Sequence, residues 1–140
     1  MSLWVVQVQA AQLQGRVLNI LSGDHVEVIA ANQRTYTIRL RGIKSPQVGS
    51  RAGRVAKKHL AMLVAGKALV VEYNKIDYKG VLLGTIKLGG DDINSRQVRD
   101  GMAKVVPKEL TADIKKRYQT AELKARQGRL GIWRLAKNGF

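Results

Sequence analysis

The side chains best suited to chemistry in this chain gather around Arg39-Leu40-Arg41-Gly42-Ile43-Lys44-Ser45-Pro46-Gln47. No acidic residue lies between Glu27 and Glu72, while Arg34, Arg39, Arg41, Lys44, Arg51, Arg54, Lys57, Lys58 and Lys67 all fall inside that window. Guanidinium forks match phosphate oxygens in pairs, and a lysine ammonium meets them as a point charge. This density therefore suits the holding of a phosphodiester backbone. The candidate contacts are Arg39, Arg41, Lys44, Arg51 and Arg54, with Lys57, Lys58 and Lys79 at the rim. Tyr78 offers a ring for base stacking, although a single turn tyrosine is as readily just exposed. A second basic group, Lys115, Lys116, Arg117, Lys124 and Arg126, reads as a solvated helix face.

Composition points the same way. The chain carries 25 Lys+Arg against 10 Asp+Glu, a formal net charge of +15. Such a field favours a polyanion, whether nucleic acid, anionic membrane or an acidic surface, and charge alone does not choose among them. Aromatic residues make up only 5%, which argues against a broad stacking platform for single-stranded bases. The absence of cysteine excludes disulfides and thiolate metal sites and leaves the redox compartment open. No apolar run approaches the ~20 residues needed to span a bilayer. Near the start, Leu3-Trp4-Val5-Val6 ahead of Val8-Gln9-Ala10-Ala11 has two readings. It is an ordinary N-terminal strand, or the tail of a secretory signal ending in a small-residue cleavage site, which would imply a secreted or periplasmic protein.

A chain of 140 residues is long enough for one domain with its own core. Positions 1–13 read as an N-terminal extension, 14–134 as the domain and 135–140 as a tail. Residues 14–21 read as a strand with Val17 and Leu21 as candidates for its buried face. Ser22-Gly23-Asp24 is a turn, and Val26, Val28 and Ala30 alternate inward along a second strand. Residues 35–41 form a third, rich in β-branched and aromatic side chains. The spacing of Ala52, Val55, Ala56, Leu60 and Leu63 predicts a helix over 51–64, with Ser50 as N-cap and Gly66 as stop. Strands follow at 67–73 and 81–88, then a short helix over 92–100 capped by Asp92 or Asn94. Residues 102–106 are extended. A last helix over 111–127 turns Ile114, Tyr118, Ala121 and Ala125 to one side, and Ile132-Trp133 folds back onto the body. This order predicts an α+β fold: a five-stranded OB-type barrel with about three packed helices.

Several short patterns carry a more specific resemblance. They are Gly15-Arg16-Val17 with Ser22-Gly23-Asp24-His25-Val26-Glu27-Val28, the stretch from Arg39 to Gln47, Asp77-Tyr78-Lys79-Gly80-Val81, Ile93-Asn94 through Val98-Arg99-Asp100-Gly101-Met102-Ala103, and Ala121-Glu122-Leu123-Lys124-Ala125-Arg126 with Gly131-Ile132-Trp133. In this order they resemble the staphylococcal nuclease-like (thermonuclease) domains, over nearly the whole chain. The resemblance implies Ca²⁺-dependent hydrolysis of DNA and RNA phosphodiesters. It also implies two metal carboxylates, a glutamate near the attacking water and two arginines on the scissile phosphate.

Residue by residue, the carry-over is incomplete. Asp24 matches one metal carboxylate, and Arg39 matches one phosphate arginine. Lys44 stands where the resemblance puts the second metal carboxylate, Gln47 where it puts the glutamate, and Val81 where it puts the other arginine; Ser22 and Ser45 replace an aspartate and a threonine beside them. An ammonium ~4 Å from a cation costs ~4 kcal/mol at an effective dielectric near 20. Lys44 is expected instead to pair with Asp24. Losing a general base typically costs about 10²–10⁴-fold, and losing a charge-stabilising donor about 10²–10³-fold.

The expectation is therefore a catalytically impaired domain that holds nucleic acid through a basic groove, monomeric and without a cofactor. Two alternatives stand beside it. One is an active or relocated phosphodiesterase, using Ca²⁺ and drawing on Asp24, His25, His59, Asp77, Asp91 and Asp92, although His25 on a strand should point away from Asp24. The other is a module that binds a protein or an envelope polyanion.

Overall fold

The computed structural model describes residues 11–135. The stretch read as a signal tail, and the tail after residue 135, lie outside the described residues. Thirteen elements follow one another: β1 (Ala11–Ser22), β2 (His25–Ala30), β3 (Thr35–Leu40), β4 (Ile43–Lys44), α1 (Arg51–Val64), β5 (Ala68–Ile76), β6 (Leu82–Leu88), β7 (Asp91–Asp92), α2 (Ile93–Arg99), β8 (Lys104–Val105), a 3₁₀ turn (Pro107–Glu109), α3 (Ala112–Gln127) and α4 (Ile132–Leu135). Residues 11–13 belong to β1, pairing with Tyr73, Glu72 and Val71 of β5, so the barrel starts before position 14.

Strand order is β3-β2-β1-β5-β6-β7, and β3 also pairs with β6, in parallel, from Ile38↔Leu82 to Leu40↔Gly84. That last pairing closes the sheet into the five-stranded barrel. Alternation fills it. Val26 and Val28 of β2, Ile38 and Leu40 of β3, Leu69 and Val71 of β5, and Leu82 and Ile86 of β6 all point inward and are buried. Their neighbours Thr37, Arg39 and Leu83 are left on the outer face, half-exposed.

The long strand β1 departs from simple alternation. Its register with β2 skips Leu18 and again Leu21. Each skip is a bulge that inserts one residue and shifts the inward phase. Ile20 takes the core-facing place, and Leu21 is 42% exposed, not buried as the plain period implied.

Helix α1 has the expected bounds. Ser50 Oγ accepts from Gly53 N at 2.9 Å, and Gly66 at φ +70° ends the turn that follows. Its buried stripe is Gly53, Ala56, Leu60 and Val64. Gly53 is required by close approach: a Cβ there would lie 1.7 Å from the Gln47 carbonyl oxygen. Asp92 caps α2, accepting from Ser95 N at 3.0 Å, and its other oxygen accepts from Tyr118 Oη of α3 at 2.7 Å. Burial first, then the Asp92 charge and hydrogen bond, push the Tyr118 phenol far above its ordinary value, so it remains a donor.

Two fully buried amides on α2 bind the layers together. Asn94 Nδ2 donates to Arg41 O at 2.9 Å and Gly84 O at 3.0 Å, while its Oδ1 accepts from Ile86 N at 3.1 Å. Gln97 Nε2 donates to Gly23 O at 2.8 Å and Ala56 O at 3.3 Å. Beyond α2, Ile132 is buried and its N–H donates to Gly101 O at 2.8 Å, folding the chain back as the sequence implied. No described helix is long and apolar enough to cross a membrane.

Candidate nucleic-acid interface

The β1–β2 turn places Asp24 at one end of the barrel, with its backbone O accepting from Leu40 N at 2.8 Å. Gly23 makes this possible, because a Cβ there would sit 2.6 Å from Ala56 Cβ and 2.7 Å from Ser45 Cβ. Asp24 is only 8% exposed. Its Oδ1 accepts from Ser22 Oγ at 2.6 Å and lies 2.8 Å from His25 Nδ1; its Oδ2 accepts from Ser45 N at 3.0 Å. Burial raises this carboxyl's pKa, but the hydrogen bonds from His25, Ser22 and Ser45, with the charge of His25, outweigh it and hold the value at about 2. His25 thus meets Asp24 rather than turning away. Asp24 lies in the turn, not on the strand, so strand alternation does not apply to the pair.

Lys44, on β4, is exposed and faces Lys104 across the β4–β8 pair. The pairing of Lys44 with Asp24 is not made; both Asp24 oxygens have the partners just named. Ser45 beside it is buried, and its hydroxyl has no hydrogen-bond partner. Gln47 is exposed in the loop before α1, and Val81 is half-exposed at the start of β6.

Arg39 does have a partner. Glu109, in the 3₁₀ turn after β8, receives Arg39 Nη1 at 3.2 Å on Oε1 and Nη2 on Oε2. The same Oε1 accepts Gly42 N at 2.9 Å, and the Glu109 backbone carbonyl accepts Arg41 Nε at 2.7 Å. Sequence reasoning missed Glu109. The available signal was that it is the only acid between Asp100 and Asp113, just after a Pro-Lys pair. Arg41, Asn74, Lys75, Leu83, Lys108 and Glu109 line a half-open cleft of about 460 Å³.

The remaining candidate cations are displayed outward. Arg51, Arg54 and Lys58 of α1 are exposed and Lys57 is half-exposed; Arg54 Nη1 donates to Gly49 O at 2.9 Å. At the β5–β6 turn Tyr78 is 92% exposed with Lys79 Nζ 5.6 Å from its ring centre. Apart from the Asp24–His25 pair, the residues weighed for a relocated site do not converge. His59 Nδ1 lies 2.6 Å from Gln97 Oε1 and its Nε2 3.1 Å from Asp100, between α1 and α2. Asp77 Oδ1 accepts Lys79 N at 2.8 Å and Val81 N at 3.0 Å within its turn, Asp91 is exposed on β7, and Asp92 caps α2. Among the described residues, no three His, Asp or Glu side chains gather to hold a metal.

Comparison with known proteins agrees with this architecture. The staphylococcal nuclease homologue family matches residues 37–135. The chain is 33% identical over 127 residues to a protein of Escherichia coli O157:H7 described as an uncharacterized endonuclease, covering 90% of this chain and 80% of that one. It is 32% identical over 142 residues to the micrococcal nuclease of Shigella flexneri, covering 92% and 79% respectively. It is also 37% identical over 131 residues to an uncharacterized 38.1 kDa protein of Capnoides sempervirens, covering 90% of this chain but only 37% of that longer one. With its closed barrel, its α2 amide bracket and this match running from β3 to α4, the chain belongs to the staphylococcal nuclease family.

Proposed function

We propose that this domain holds a nucleic-acid backbone on a basic surface and is impaired in cutting it. The observation that carries the reading is that Asp24 turns inward while Lys44 points out to solvent. Asp24 commits both carboxylate oxygens to Ser22, His25 and the Ser45 N–H, so it acts as a bracket for the turn. Lys44, on β4, presents its ammonium to solvent. An exposed ammonium of this kind meets a backbone phosphate as a point charge.

The donor set does not fit Ca²⁺, which takes six to eight oxygens, several of them charged. Asp24 is the single carboxylate here, and Lys44 adds positive charge where another would be needed. Gln47 cannot take a proton from water, and Val81 cannot bind phosphate. Arg51, Arg54, Lys57 and Lys58 on α1, with Lys79 and Tyr78 at the β5–β6 turn, offer cations and a ring that could track a backbone without reading sequence.

The test is a binding titration of duplex DNA and single-stranded RNA between about 50 and 200 mM salt, beside a cleavage assay with and without Ca²⁺ on the same sample. Binding that weakens steeply with salt, without cleavage, is the expected result. Efficient Ca²⁺-dependent cleavage by the unmodified chain overturns the impaired reading, and absence of binding at low salt overturns the holding one. The relatives described as nucleases make back-substitution informative. Lys44→Asp with Gln47→Glu should restore weak cleavage.

A further inference from the structure

The Arg39 site already has an occupant. Two guanidinium nitrogens and the Gly42 N–H converge on the Glu109 carboxylate, and Arg41 Nε is drawn to the same residue's carbonyl. A guanidinium fork joined by a backbone N–H is the donor set that a phosphate also accepts. The carboxylate side chain is 14% exposed and Arg39 30%, so the pair is largely shielded from solvent. Glu109 sits on one 3₁₀ turn, closed by Glu109 N donating to Val106 O at 3.2 Å, with Val106 N donating to Gly42 O at 2.8 Å and the flanking Val105 and Leu110 packed on the core. Beside it the cleft opens between Lys75 and Lys108.

We infer that Glu109 is an internal competitor for the anion that Arg39 and Arg41 would otherwise take. Its carboxylate withdraws Arg39 from the polyanion surface, its carbonyl draws Arg41 in beside it, and the carboxylate sets how tightly the domain binds. This rests on the holding function proposed above and adds the residue that limits it. The occupant it competes with is a backbone phosphate, which must displace the carboxylate to reach Arg39. A glutamate that merely staples the turn would leave affinity unchanged when its charge is removed.

The experiment compares Glu109→Gln with Asp113→Asn, an equal change of charge at an exposed position on α3, by fluorescence anisotropy on a short DNA duplex. Glu109→Gln should tighten binding roughly tenfold and steepen the log–log salt slope by about 0.9, one added phosphate contact. Asp113→Asn should gain at most about twofold. In the Glu109→Gln background, Arg39→Gln should abolish the gain while Arg117→Gln leaves most of it. Glu109→Asp, which keeps the charge but shortens the reach, gives a smaller gain and serves if Glu109→Gln unfolds; thermal melts report folding throughout. Equal affinity and slope for Glu109→Gln and the parent overturn the inference, as does a gain that survives Arg39→Gln. Those outcomes leave the holding function intact. That reading fails separately, if neither parent nor variant binds at about 50 mM salt.

Discussion

The Glu109 carboxylate closes on the Arg39 guanidinium across 70 residues of chain, fixing the turn after β8 to the outer face of β3. Arg39→Ala leaves this carboxylate largely buried with only the Gly42 N–H as donor. The expected loss is about 1–3 kcal/mol of stability, measured by urea unfolding. Combined with Glu109→Ala in a double-mutant cycle, the two substitutions should show a coupling of about 1–3 kcal/mol. Additive losses would mean that the pair contributes nothing as a pair.

Asp24 gives the acid limb of the stability curve a definite shape. Its folded-state pKa of about 2 lies below the ordinary carboxylate value of 3.8. Folding therefore favours the ionised form. The stabilisation, about 2 kcal/mol, is whole above pH 3.8 and is lost as pH falls through 2. Asp24→Asn should flatten that part of the unfolding free energy between pH 4 and 2 while lowering stability at neutral pH. An unchanged acid limb would show that Asp24 is not its source.

Asn94 closes the barrel where the β3–β6 ladder ends. Its amide pairs two carbonyls and one N–H, the bonds to Gly84 and Ile86 buried and the one to Arg41 partly so. Asn94→Asp turns the donor toward two carbonyls into an acceptor, and Asn94→Leu removes the partner of Ile86 N and Arg41 O while Gly84 O keeps only Arg41 N. Either should cost about 2–4 kcal/mol, read by chemical denaturation. A loss under about 0.5 kcal/mol, typical of a surface change, would refute the bracket.

Gly53→Ala sets two effects against each other. Alanine in a helix gains about 1 kcal/mol over glycine. Here the added Cβ would lie 1.7 Å from the Gln47 carbonyl oxygen, so the loop carrying Pro46 and Gln47 must move. The backbone contact should win, giving net destabilisation of about 1–3 kcal/mol and amide chemical-shift changes at residues 46–50. A stabilised variant with unmoved loop amides would contradict it.

The sequence revealed most where local signals agreed. Ser50, the apolar period and Gly66 placed α1 correctly, and Asp92 announced α2, because caps and periodicity act within a few residues. Leu21 was misplaced because a bulge leaves no mark in composition and shifts every later side chain by one face. His25 was misplaced for a related reason: the turn ends at Asp24, and one residue of turn geometry outweighs strand alternation. Arg39 stands out in the sequence as a guanidinium in a window without acids, but its pairing with Glu109 does not. That contact depends on how the β4–β8 pair brings a distant turn against β3, which no local pattern encodes.

Asn94 and Gln97 have a wider consequence. They hold the end of β3, the start of α1's buried face and the Gly23 turn with neutral amides that take no part in proton transfer or ion binding. Lys44 and Gln47, by contrast, stand exposed at the surface, and Val81 is half-exposed. Asn94 and Gln97 therefore hold this end of the barrel together without drawing on Lys44, Gln47 or Val81. Exchanges at the exposed Lys44 and Gln47 should therefore leave the barrel standing, within about 0.5 kcal/mol of its stability.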